Sequence, residues 1–159
     1  MKILVVCQRY YPEQFRITDI CEELVKMGHE VTVLTGLPNY PEGVVPEEYR
    51  HGKNRRQEIN GVRVVRCFER GRGGSKLGLF LNYYSFVLSS VCKALFYKGE
   101  FDVILANQLS PVMMVYPALV LKRRFHKKLL LYCMDLWPDS LAAGGVRRGS
   151  LLYRFYRWV

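Results

Sequence analysis

The chain has 159 residues, half of them hydrophobic, and carries 24 Lys and Arg against 14 Asp and Glu, a formal net charge of +10 at pH 7. That length supports about one domain able to bury a substantial core. Five cysteines (Cys7, Cys21, Cys67, Cys92, Cys133), an odd number with no C-x-x-C pair, exclude a zinc ribbon and a disulfide framework and point to a reducing cytosol.

Residues 3–7 are a continuous apolar run of the length of a buried parallel strand. Ile17, Ile20, Cys21, Leu24 and Val25 then recur at helical spacing, Gly28 stands where a helix ends, and residues 30–35 are rich in β-branched side chains. This is a βαβ unit, and its crossover is expected to be right-handed. Tyr10, Tyr11, Pro12 and Glu13 occupy the loop at the carboxyl end of the first strand, where open parallel sheets bind ligands. No G-x-G-x-x-G cradle is present, which excludes a dinucleotide-dependent dehydrogenase. Pro12 suits a first helical turn, and Glu13 would place its carboxylate against the helix dipole. An anion would compete with Glu13, whereas a sugar hydroxyl would not. The competing reading is that both residues merely start the helix.

Residues 36–60 hold Pro38, Pro41 and Pro46 and read as a long functional or mobile loop. Asn60-Gly61 signals a tight turn before a third strand over residues 62–68. Residues 70–75 read as a flexible glycine-rich linker without phosphate-loop spacing. The run 77–97 has one charge, Lys93, but its Asn82, Ser85, Ser89 and Ser90 favour a buried or interfacial helix over residues 77–98 rather than a membrane span. Strands are expected at 102–107 and 129–134, with a helix over about 112–124 between them.

Asp135-Leu-Trp-Pro-Asp-Ser140 directly follows the last strand, here expected to be buried, so Asp135 falls at the same sheet edge as Tyr10 and Glu13, and Trp137 offers a flat face to a sugar ring. The competing reading makes Asp135 or Asp139 a helix cap. His29, His51 and His126 have no metal-ligand spacing, and no histidine is placed to activate a cysteine, so neither metal binding nor thiol catalysis is expected. Basic residues cluster at 50–56, 63–76, 122–128 and 147–157, which suits polyanions or anionic lipid headgroups. No alternation of aromatic and basic residues on a strand supports RNA binding.

Taken in order, Tyr11-Pro-Glu13, Phe15-Arg-Ile-Thr-Asp-Ile20, Gly28-His-Glu-Val-Thr-Val-Leu-Thr35, Pro38-Asn-Tyr-Pro-Glu-Gly43, Asn60-Gly-Val62 with Arg66, and Asp135-Leu-Trp-Pro-Asp-Ser140 resemble the N-terminal half of retaining GT-B glycosyltransferases. The family is glycosyltransferase family 4, group 1 type, and the likeness covers nearly the whole chain. Within it, the likeness is to bacterial O-antigen and capsule enzymes that transfer amino sugars such as N-acetylfucosamine. The resemblance implies a Rossmann-like α/β domain, a mainly parallel sheet with helices on both faces, spanning residues 1–159. It implies metal-independent transfer from a nucleotide-sugar co-substrate to a lipid-linked glycan, with no further cofactor. It also implies cytoplasmic docking on the inner face of an anionic membrane, with no nucleic-acid partner.

The same resemblance places Asp135 near the reacting face of the donor sugar. Tyr10, Tyr11, Glu13, Asn39, Tyr40, Asn107 and Trp137 fall on the acceptor side. Where many relatives carry a glycine pair for the donor diphosphate, Gln14-Phe15-Arg16 stands here, which leaves Arg16 and Arg9 as candidate phosphate contacts. A GT-B enzyme needs a second, donor-binding domain, so the chain is expected to be a truncated half, inactive alone. The alternative is a non-catalytic basic module that binds membrane surfaces or polyanions.

Overall fold

The computed structural model describes residues 1–158. Six strands form one sheet: β1 (Lys2–Cys7), β2 (Glu30–Thr35), β3 (Arg56–Ile59), β4 (Val62–Arg66), β5 (Val103–Gln108) and β6 (Lys128–Cys133). Their order is β3-β4-β2-β1-β5-β6, parallel throughout except for β3, which runs antiparallel to β4. Five helices accompany them: α1 (Arg16–Lys26), α2 (Lys76–Leu95), α3 (Tyr116–Phe125), α4 (Asp139–Ala143) and α5 (Leu151–Trp158). The chain folds as a Rossmann-like, mainly parallel α/β sheet with helices on both faces.

Strand alternation sets the two core layers. Ile3, Val5 and Cys7 of β1 join Val31 and Val33 of β2 and Val62 and Val64 of β4 beneath Ile17 and Cys21 of α1. Leu4, Val6 and Leu34 face the other way, with Ile104 and Ala106 of β5, against Ala94 of α2 and Ala118 and Leu121 of α3. Both faces are covered, which is why β1 reads as an unbroken apolar run. The α1 helix ends at Gly28, whose φ of +85° takes the left-handed position that a side chain resists.

Four expectations need correction. Residues 36–60 are not a structureless loop: β3 lies within them and forms a hairpin with β4, closed by Asn60 and Gly61 at φ values of +50° and +79°. The helix expected over 112–124 begins as a 3-10 turn, Val112–Val115, before α3. β6 is an edge strand rather than a buried one, with Leu130 60 % and Leu131 52 % exposed, because only its β5 side is paired. Neither aspartate caps α4: Pro138 takes the cap position without a side-chain bond, and Asp139 is already helical. On α2, Asn82, Phe86, Val87, Ser90 and Ala94 are buried while Leu77, Phe80, Leu88 and Leu95 face out. Among the described residues no helix is long and apolar enough to cross a membrane.

Candidate functional site at the carboxyl edge of the sheet

From β1 the chain adds β2 and β4 on one side, then crosses through α2 to β5 on the other. The carboxyl ends of β1 and β5 therefore diverge into a crevice, the place where such sheets take ligands. Loops after β1 (residues 8–15), β2 (residues 36–46), β5 (residues 109–111) and β6 (residues 134–138) surround it.

Beneath the first two loops lies a buried polar cluster. Arg9 Nη1 is 3.1 Å from Glu13 Oε1 and 3.3 Å from Glu69 Oε1, with all three side chains almost fully buried. Glu69 Oε1 also accepts from Gln8 Nε2 at 2.9 Å, Asn39 Nδ2 at 3.0 Å and Asn82 Nδ2 at 2.7 Å. Arg9 Nη2 donates to Asn82 Oδ1 at 3.1 Å. Burial pushes the Glu69 carboxyl up to about 7; Arg9 and the amide donors of Asn39 and Gln8 pull the other way, while Glu13 adds to the rise. Burial therefore outweighs the Arg9 cation and holds Glu69 toward its neutral form.

This cluster corrects the expected role of Glu13. The α1 helix starts only at Arg16, with Phe15 at its cap, so the Glu13 carboxylate does not face the helix dipole. Instead Oε1 accepts from the backbone N–H groups of Asn39 at 2.8 Å and Tyr40 at 2.7 Å, which ties the β1 loop to the β2 loop. Arg66 clamps the same loop from below, donating Nη2 to the Tyr11 carbonyl at 2.6 Å and lying over the Tyr49 ring at 4.8 Å. Burial lowers its pKa.

The predicted site residues divide by depth. Arg9, Glu13 and Asn39 are buried and hydrogen-bonded within the cluster, and the Tyr10 ring packs in the core beside Ile17 and Cys21. These four are scaffold, and Arg9 is not free to meet a phosphate. Burial raises the Tyr10 hydroxyl above its ordinary value. Tyr11 and Tyr40, each 44 % exposed, reach the surface, and Phe15 stacks obliquely on Tyr40 at 5.5 Å. Pro12, Pro38, Tyr40, Pro41 and Glu42 line a groove of about 460 Å³. Arg16 is exposed on the wall of a second groove, about 500 Å³, but Asp19 and Glu22 share that wall, so a phosphate would meet a net acidic surface.

On the far side of the crevice, Asn107 pairs with Cys7 across β5 and β1 and is 5 % exposed, with its Oδ1 buried and unpartnered. Asp135 Oδ2 accepts from Ser110 Oγ at 2.5 Å, and the Asp135 carbonyl accepts from Gln108 Nε2 at 2.7 Å. Trp137 Nε1 donates to Ser110 Oγ at 3.1 Å, and its ring meets Tyr156 of α5 edge-on at 4.8 Å. Asp135 is thus a carboxylate held by the β5 loop.

A family model described as a glycosyl transferase 4-like domain matches residues 5–159. The chain belongs to this family. No curated protein matches it significantly.

In this glycosyl transferase 4-like domain, sequence reading missed Gln8, Glu69, Asn82, Tyr83 and Ser110. Tyr83 lies on α2, and burial raises its hydroxyl, against the pull of Arg72 and Arg9. The partners of Glu69 lie 13 to 61 residues away along the chain, so no local pattern announces them. The one available signal was a lone glutamate immediately after a strand and within a run of arginines. Among the described residues no group of three or more His, Cys, Asp or Glu could hold a metal ion.

Proposed function

We propose that this domain is the acceptor-side half of a retaining glycosyltransferase. Its complete enzyme moves a sugar, in the amino-sugar class, from a nucleotide donor to a lipid-linked glycan during bacterial surface polysaccharide synthesis. The observation that carries this reading is that Tyr11 and Tyr40 stand on the loops after β1 and β2, and Asp135 and Trp137 on the loop after β6, all at the carboxyl edge of one parallel sheet. Exposed aromatic rings beside a groove suit sugar faces, and a fixed carboxylate suits sugar hydroxyls. The buried Arg9–Glu13–Glu69 cluster sets the positions of the tyrosine-bearing loops.

In that mechanism Asp135 lies against the reacting centre, where it orients a hydroxyl and favours positive charge developing at the anomeric carbon. Tyr11, Tyr40 and Trp137 hold the acceptor sugar, and the orphan Asn107 amide oxygen accepts from a ligand donor. The donor diphosphate and its nucleotide fall to a second domain, and no metal or further cofactor takes part. The exposed Leu151, Leu152, Phe155 and Trp158 of α5, interleaved with Arg154 and Arg157, support seating on the anionic inner face of the cytoplasmic membrane. The same helix favours a second reading, a basic membrane-surface module without catalysis.

A transfer assay with labelled nucleotide sugars and a polyprenyl-diphosphate glycan separates the parts. The purified 159-residue chain is expected to show no turnover above background, and adding the donor half is expected to restore it. Robust turnover by the chain alone, or none when both halves are present, contradicts the proposal.

A further inference from the structure

We propose that Ser110 is a positioning residue for the acceptor sugar, because one hydroxyl fixes both the carboxylate of Asp135 and the indole plane of Trp137. This rests on the reading of Asp135 and Trp137 as sugar-contacting groups. A serine hydroxyl has one proton and two lone pairs. Here the proton goes to Asp135 Oδ2 at 2.5 Å and a lone pair takes the Trp137 indole N–H at 3.1 Å, so the chain of bonds runs in one direction, from Trp137 through Ser110 to Asp135. The carboxylate end makes this a charge-assisted bond, which shortens and strengthens it.

The seat of Ser110 is itself fixed. It stands between the end of β5 and the 3-10 turn at Val112–Val115. Leu109 N–H donates to Met114 Sδ at 3.1 Å, and Met114 N–H donates to the Pro111 carbonyl at 3.2 Å. From the last position of β5, Gln108 holds the backbone of the β6 loop twice: its carbonyl accepts from Met134 N–H at 2.9 Å and its amide donates to the Asp135 carbonyl at 2.7 Å. Backbone and side chain of Asp135 are therefore both referenced to β5, the strand beside the crevice. The Ser110 bond fixes the carboxylate plane and so sets the direction of the acceptor sites left for a ligand hydroxyl. The indole, pinned at its nitrogen by Ser110 and at its ring by Tyr156, keeps one orientation for stacking. Alanine, which lacks the hydroxyl, releases both groups at once, whereas threonine keeps the oxygen.

The test compares Ser110→Ala, Ser110→Thr, Asp135→Asn and Trp137→Phe. Two readouts are used: affinity for farnesyl-diphosphate-linked N-acetylglucosamine, and the Trp137 indole N–H resonance. The chain has two tryptophans, so Trp137→Phe assigns that resonance. Ser110→Ala is expected to weaken probe binding about tenfold, which corresponds to about 1.4 kcal/mol, and to move the indole resonance. Ser110→Thr is expected to retain both. If Asp135→Asn and Trp137→Phe lose affinity while Ser110→Ala does not, the role of Ser110 is overturned and the acceptor site stands. If neither Asp135→Asn nor Trp137→Phe loses affinity, the acceptor reading fails and takes the role of Ser110 with it. Circular dichroism of each variant separates these results from misfolding.

Discussion

Gly36 gives Glu69 its place: a Cβ built on Gly36 would clash with Glu69 Oε2, and would also come to 3.0 Å from the Gln8 carbonyl oxygen. The carboxylate is buried and held through Oε1 by Gln8, Asn39, Asn82 and Arg9, so it has no ready alternative position. Gly36→Ala is expected to cost about 1–3 kcal/mol through overpacking. A urea midpoint equal to that of the parent chain would show that the cluster can shift without loss.

Glu69 also imposes a pH dependence. Its carboxyl titrates near 7 in the fold, against an ordinary value of 4.5. Below about 4.5 it is protonated folded and unfolded alike, and its favourable contribution is fully present. As pH rises toward 7 the unfolded chain ionises and the folded one does not, so stability falls by on the order of 3 kcal/mol and then levels off. Denaturation at a series of pH values checks this, and Glu69→Gln is expected to flatten that part of the curve. A parent curve already flat between pH 4.5 and 7 would show that Glu69 is ionised in the fold.

Arg9 is expected to behave as structure. Arg9→Met leaves Glu13 buried without its cation, which should cost about 3–5 kcal/mol. Equilibrium unfolding measures it. A loss under 1 kcal/mol would mean that water reaches the cluster.

Arg16 is expected to behave oppositely. Exposed at the start of α1, its reversal in Arg16→Glu should change stability by no more than about 0.5 kcal/mol. If it meets phosphate, nucleotide-sugar affinity of the two-domain enzyme should fall. Unchanged affinity would assign diphosphate binding elsewhere, in keeping with the acidic neighbours Asp19 and Glu22.

The α5 helix should report membrane contact. Phe155→Ser with Trp158→Ser is expected to reduce flotation with anionic vesicles, and Arg154→Glu to do so in a salt-sensitive way, at about 1 kcal/mol per basic residue. Equal binding to neutral vesicles by all variants would contradict the placement.

The fold was readable wherever burial leaves a period. β1, α1 and β2 followed from apolar runs and a terminal glycine, because each buries a continuous face. β3 escaped because Arg56-Gln-Glu-Ile59 alternates exposed charge with half-buried residues at an edge, although the Asn60-Gly61 turn marked its hairpin. β6 was recognised as a strand but not as an edge, since neighbours across a sheet leave no trace in local sequence. The site was legible at the level of its loops: Tyr11 and Tyr40 reach the surface after β1 and β2, and Asp135 and Trp137 stand half-buried on the loop after β6. Arg9, Glu13 and Asn39 were recognised as polar residues in the right loops, but their engagement with Glu69 and Asn82 depends on α2 folding back across the sheet edge. Ser110 was hidden because its role is a pair of contacts to residues 25 and 27 positions later.

The central claim is that acceptor sugar binds at the carboxyl edge of this sheet. Amide chemical-shift mapping of the 159-residue chain with farnesyl-diphosphate-linked N-acetylglucosamine tests it most directly. The account predicts perturbations gathered at residues 11–16, 38–42, 107–111 and 134–138. Perturbations confined to the opposite edge, around Lys98, Phe101 and Lys127, or none at saturating probe, would contradict it.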